Sequence, residues 1–221
     1  MVNTKTWGGE MLRQVTHWRH LKLRGIWLLE YGVHNADLFL YLMGEVDTVY
    51  AETNLWDIED QKEVQPLSSD MAKLYDHGVR EDDMALAIIK FKSGAMGHFA
   101  MSLATPGEST LTDIIYCSNG SLKLPGSRTG HPARITKTGA QSPLAEDQTL
   151  KLVPEFQLDD LTAPFFQNQR RIHSYDMVFE KIDRKLLGLE LLEFATAIRE
   201  QHDPEVTGEV GLDAVAFVYS I

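Results

Sequence analysis

The stretch Leu28-Leu29-Glu30-Tyr31-Gly32-Val33-His34-Asn35-Ala36-Asp37-Leu38-Phe39-Leu40-Tyr41-Leu42-Met43-Gly44 decides the fold. Within it Leu29, Val33, Ala36, Leu40 and Met43 recur at spacings of four, three, four and three. That spacing lays an apolar stripe along one side of an α-helix, which Gly44 stops. The period then changes. Val46–Leu55 alternates with β-branched and aromatic residues and reads as a strand. Met84–Phe91 and Ala95–Leu103 are two further strand-like runs, joined by the hairpin signal Lys92-Ser93-Gly94. Thr110–Cys117 and Ser121–Leu124 make a second hairpin around Asn119-Gly120, a reading preferred to the glycosylation sequon that Asn119-Gly120-Ser121 also spells. Near the end, Leu186–Ile198 carries a strong apolar helical face closed by Gln201-His202-Asp203-Pro204, and Gly208–Ile221 starts another helix. A helix, then antiparallel strands, then helices predict one α+β domain over residues 1–221. Its sheet is expected to be open and mainly antiparallel, with helices packed on one face.

Other parts read less clearly. Met1–Gly25 has no clean period, and residues 57–80 are a polar excursion. Residues 125–163 are broken by prolines and glycines, with short possible strands at Ala133–Thr138 and Leu150–Val153. No repeat of about 20–50 residues is visible.

Composition narrows the partner. The 221 residues carry 21 basic and 32 acidic side chains, a net charge of −11, which repels a phosphate backbone and argues against nucleic acid. The single cysteine, Cys117, excludes an internal disulfide. The longest apolar runs, Leu38–Met43 and Met84–Ile89, fall far short of the roughly 20 residues that cross a bilayer, and the first residues do not spell a signal peptide. Cytoplasm is the expected compartment.

The densest chemistry lies on the first helix. Glu30, His34, Asp37 and Tyr41 are spaced by four, three and four, so they share a helical face about 100° from the apolar stripe. An imidazole with a carboxylate one turn away is a general acid/base pair, the carboxylate holding the tautomer and raising the ring's basicity. Gly32 between them removes bulk where a ligand would approach. A plain polar helix face with a satisfied histidine fits the same spacing.

Leu28-Leu29-Glu30-Tyr31-Gly32-Val33-His34-Asn35-Ala36-Asp37-Leu38, followed by Gly44-Glu45-Val46, resembles the signature of the glucose–fructose oxidoreductase / inositol dehydrogenase / rhizopine-catabolism (Gfo/Idh/MocA) family. Glu81-Asp82-Asp83 through Gly97 resembles that family's central hairpin, and Leu191–Ile198 with Pro204–Gly208 its C-terminal helices. The resemblance implies the family's C-terminal domain, with a dihydrodipicolinate-reductase-like fold. It makes His34 the residue that exchanges a proton with a substrate hydroxyl and puts Glu30 at the usual aspartate position. Trp18, Arg19, His20 and Asp37 become candidate substrate contacts, although Asp37 more simply supports the helix. The implied reaction is hydride transfer between NAD(P) and a secondary alcohol on a sugar or polyol. The resemblance also implies a homo-oligomer formed through the open sheet face.

The dinucleotide part of the pattern is missing. No G-x-G-x-x-G occurs, and Gly126-Ser127-Arg128-Thr129-Gly130 has the wrong spacing. The family's Glu-Lys-Pro motif is absent too. The chain therefore reads as the second domain alone, with the main NAD(P) site on a missing or separate Rossmann domain. A non-catalytic stand-alone oligomerisation or carbohydrate-binding module is the competing function. Of the remaining candidates, His17 and His20 with His34 make a weak set for zinc. His98 reads as a surface histidine on a strand, Glu81-Asp82-Asp83 as a solvated strand cap, and Cys117 as a small buried hydrophobe.

Overall fold

The computed structural model describes residues 1–6, 27–56, 82–105, 107–126 and 128–221. Among these are seven strands: β1 (Val2–Thr6), β2 (Val46–Asn54), β3 (Met84–Phe91), β4 (Met96–Ser102), β5 (Thr110–Cys117), β6 (Gly120–Lys123) and β7 (Arg134–Lys137). The helices are α1 (Trp27–Met43), α2 (Glu146–Lys151), α3 (Phe179–Glu200) and α4 (Gly208–Tyr219), with a 3-10 turn at Ala163–Phe166. Strand neighbours run β2-β3-β4-β1-β5-β6-β7, an open mixed sheet. The pairs β2–β3, β3–β4, β5–β6 and β6–β7 are antiparallel, and β1–β4 is parallel. The fold is therefore α+β with an open, mainly antiparallel sheet.

The chain forms two compact units, Met1–Thr112 with Gly208–Ile221, and Asp113–Thr207. In the first, strict alternation on β3 sends Ala85, Ala87, Ile89 and Phe91 inward and leaves Leu86, Ile88 and Lys90 outward. Helix α1 covers the inward side. Phe39, 0% exposed, sits among Phe91, Phe99 and Phe217 at ring-centre distances of 6.1, 6.2 and 6.0 Å. Gly97 makes room for it: a Cβ there would lie 2.9 Å from the Phe39 ring. The most deeply buried residues of α1 are Leu28, Gly32, Ala36 and Phe39, so only Ala36 of the predicted stripe is fully buried. Helix α1 is apolar over a wide arc, and two contacts choose its phase. One is the Phe39 ring cluster. The other is buried Asn3 of β1, whose Nδ2 donates to Asn35 Oδ1 at 2.9 Å. Strand β1 itself falls in the opening that showed no period.

In the second unit, the β5–β6 pair joins Cys117 to Gly120, so the turn is Ser118-Asn119, one residue earlier than predicted. Gly120 holds φ +151°, and a Cβ there would meet the Thr136 carbonyl of β7 at 2.2 Å, so glycine is required by the β6–β7 pairing as well as by the turn. Leu150–Val153 is not a strand. Leu150 and Lys151 end helix α2, whose first turn carries Glu146 and Asp147 and whose Lys151 pairs with Asp147 at 2.8 Å. The Arg171 guanidinium donates to the carbonyls of Leu150 (2.9 Å), Phe156 (3.0 Å) and Pro154, capping that helix end from 21 residues away. Helix α3 buries Ile182 and Ala197, and its Lys185 donates to the Phe165 carbonyl in the 3-10 turn.

Candidate functional site

The outward face of α1 carries the predicted polar stripe. His34 is exposed, Glu30 and Asp37 are half-buried, and Tyr41 is 85% exposed. His34 lies near the middle of α1. Its neighbour Asn35 turns inward, where Nδ2 donates to the Tyr31 carbonyl at 2.9 Å and Oδ1 accepts from Asn3. Asn35 is the residue that sequence reasoning missed; the available signal was a lone amide inside an apolar arc. The helix geometry brings Glu30 and His34 to one face a turn apart. Among the described residues no hydrogen bond involves the His34 ring.

Gly32 plays a different part from the one expected. It is buried, and a Cβ there would meet Leu28 Cδ1 at 3.1 Å and Met101 Sδ at 3.6 Å. Its missing bulk lets α1 lie close on β4 and does not open space for a ligand. Trp18, Arg19 and His20, together with His17, lie outside the described residues, as does Glu81. Asp83 is not solvated: it is 3% exposed and accepts the Trp56 N–H at 3.0 Å, while exposed Asp82 accepts from the Thr53 hydroxyl. Cys117 is exposed, because the shifted hairpin turn leaves it at the strand end beside solvent. His98 is exposed on β4. No described helix is long and apolar enough to cross a membrane.

A groove of about 670 Å³ lies within the second unit, lined by Asp159, Glu190, Glu193, His202, Glu205 and Phe194 among others. Two of its carboxylates are committed to the chain. Asp159 accepts the backbone N–H of Thr162 (2.6 Å), the Thr162 hydroxyl (3.0 Å) and the N–H of Leu161 (2.9 Å). The Thr162 N–H chiefly holds its carboxyl below the usual aspartate range. Glu193 accepts the Glu205 N–H at 2.9 Å. The Asp159 bonds close a local turn over residues 159–162, and the Glu193 bond ties the segment after α3 back to that helix.

A dinucleotide requires a glycine-rich turn leading from a strand to a helix N-terminus. No such turn occurs among the described residues, and the side chains present do not fit that cofactor. What the first unit offers is an exposed imidazole, His34, on a helix packed against one side of the sheet. The family model of the GFO/IDH/MocA C-terminal domain matches residues 2–123, more than half the sequence. The chain belongs to that family.

Solved structures place the whole chain on one fold. It matches levoglucosan dehydrogenase in complex with NADH and levoglucosan with a TM-score of 0.68 at 19% identity, over 100% of this chain and 54% of that one. The WlbA dehydrogenase from Bordetella pertussis, in complex with NADH and UDP-GlcNAcA, matches with a TM-score of 0.59 at 17% identity, over 100% and 52%. An oxidoreductase from Agrobacterium radiobacter, in complex with NAD+, L-tartaric acid and magnesium, matches with 0.61 at 14%, over 99% and 52%. The chain spans about half the length of these proteins. No curated protein matches it in sequence.

Proposed function

We propose that this chain is the substrate-binding, proton-transferring half of an NAD(P)-dependent oxidoreductase acting on a secondary alcohol of a sugar or polyol. The carrying observation is His34, exposed on a helix whose opposite side is locked into the core. In this reading the His34 imidazole accepts the proton of the substrate hydroxyl as the alcohol is oxidised and returns it in the reverse direction. Glu30, one turn away, stabilises the ring when it is charged. Asp37 and the segment holding Trp18, Arg19 and His20 supply substrate contacts. The hydride acceptor is held by a Rossmann domain that is not among the described residues, and the compartment is the cytoplasm. The substrate class is supported by the levoglucosan and UDP-GlcNAcA carried by two of the structural relatives. The exposed apolar face of the sheet supports a homo-oligomer formed through that face.

The test is NMR of the His34 ring in the purified chain, titrated separately with a panel of sugars and polyols and with NADH. At least one alcohol is expected to shift the His34 Cε1–H resonance saturably, and the shift is expected to disappear in Glu30→Ala or to weaken strongly. NADH alone is expected to leave its own fluorescence unchanged. A His34 resonance indifferent to every alcohol overturns the catalytic reading. Micromolar NADH binding overturns the location of the cofactor site.

A further inference from the structure

Helix α3 carries an apolar stripe that lies in the open. Leu187, Leu191, Phe194 and Ile198 recur at spacings of four, three and four, and each is more than half exposed, Leu191 at 71%. At about 100° per residue the four fall within an arc of about 60°. That is the narrow seam by which one helix receives another, not the wide face that packs on a sheet. The groove of the second unit runs along one side of this seam and shares Phe194 with it, and Leu161, Leu189 and Val206 continue its apolar lining. The same side is acidic. Four carboxylates line the groove, and among the described residues no lysine or arginine does. Asp159 is occupied by the turn over residues 159–162, and Glu193 by one backbone N–H. Glu190 and Glu205 are exposed, and among the described residues neither has an ion pair or a side-chain hydrogen bond.

We propose that this track binds an amphipathic helix of a partner protein, one that carries lysine or arginine on the flank overhanging the groove. Its apolar residues, at i, i+3 or i+4 and i+7, lie along the seam, the recognition mode of a helix received by a hydrophobic groove. From Leu187 to Ile198 the seam runs about 17 Å, which is three turns of a bound helix. Charge selects the partner. A basic flank sets its cations beside the free carboxylates of Glu190 and Glu205, whereas an acidic flank meets them as like charges. Arg184 stands exposed on the other side of the seam, so the cations belong on one flank of the partner helix only. A segment of three turns is marginally helical by itself, so it orders as it binds. The proposal concerns the second unit alone and is independent of the catalytic reading of His34.

Fluorescence anisotropy with two labelled synthetic helices and the full chain tests this. The first peptide carries leucines at the seam spacing and lysines along one flank; the second has glutamate in place of every lysine. The lysine peptide is expected to bind saturably and the glutamate peptide at least about tenfold more weakly. Leu191→Gln, which keeps a good helix former at an exposed position, is expected to weaken the lysine peptide about tenfold while leaving the chain's thermal unfolding in place. The double change Glu190→Lys with Glu205→Lys is expected to reverse the preference between the two peptides. No binding of the lysine peptide overturns the proposal. Equal binding of both peptides, or a preference that the double change leaves as it was, refutes the acidic flank as the selecting element. Binding indifferent to Leu191→Gln moves the site off the seam. A chain that self-associates in sedimentation equilibrium, and that Leu191→Gln makes monomeric, gives the seam to a second copy and overturns the proposal as well.

Discussion

Truncating Phe39 separates the two sides of α1 in one experiment. Phe39 is fully buried, with three aromatic rings centred 6.0–6.2 Å away. Phe39→Ala removes a ring's worth of burial and leaves a cavity between helix and sheet, a loss of about 3–5 kcal/mol. Gly97 sharpens the test. Its missing Cβ would stand 2.9 Å from the Phe39 ring and 3.1 Å from Phe91, so Gly97→Ala alone overpacks the site and costs about 1–3 kcal/mol. In the Phe39→Ala background most of that clash is gone, and the added methyl fills part of the cavity. The double variant is therefore expected to lose at least about 1 kcal/mol less than the two single losses combined. His34→Ala, on the exposed face, is the control and is expected to stay within about 0.5 kcal/mol of wild type. Urea unfolding followed by circular dichroism measures all four. Additive losses from Phe39→Ala and Gly97→Ala would show that the ring does not rest on the glycine. A large loss from His34→Ala would show that the imidazole is a packing residue, and the proposed catalysis would lose its basis.

Two further outcomes follow from the geometry. The Asp159 carboxyl is held below its ordinary range, chiefly by the Thr162 N–H, so its folded-state pKa lies below the unfolded one. The stability it contributes is complete above the unfolded value, about 3.9, and is lost as pH falls through the folded value. Asp159→Asn is expected to flatten the acid limb of a stability-against-pH curve for the second unit, and an unchanged limb would contradict the assigned bonds. Cys117 is exposed at the end of β5. An aromatic disulfide reagent is expected to titrate one thiol per native chain without denaturant, and a thiol that reacts only after unfolding would return it to the interior.

Much of this architecture was legible because its elements are local. The bounds of α1, β2, β3, β4, β5 and α4 fall within a residue or two of the predicted runs, since period and turn residues alone specify them. The failures are the elements that depend on distant partners. Strand β1, Val-Asn-Thr-Lys-Thr, has little apolar signal and exists by parallel pairing with β4, about a hundred residues away in sequence. Helix α2 ends in Thr149-Leu150-Lys151-Leu152-Val153, a run with strand character. The carbonyl contacts of Arg171 favour the helix, and nothing in that run announces them. Asp83 is buried for the same kind of reason: the Trp56 N–H that satisfies it belongs to another strand's exit.

The helical phase of α1 decides where the polar face of Glu30, His34, Asp37 and Tyr41 sits relative to the sheet. At about 100° per residue, burying the predicted stripe would have set the centre of that polar face only about 110° from the packed side. The structure buries Leu28, Gly32, Ala36 and Phe39 instead. His34 is then about 200° from Gly32, nearly opposite the sheet. Asn35 enforces this choice: rotating α1 to the other phase would break its bond to Asn3 and pull Phe39 out of the ring cluster. The side of the helix that builds the core and the side that would meet substrate are thus set by the same contacts. In this arrangement the walls of a site around the imidazole must come from residues other than the sheet beneath α1.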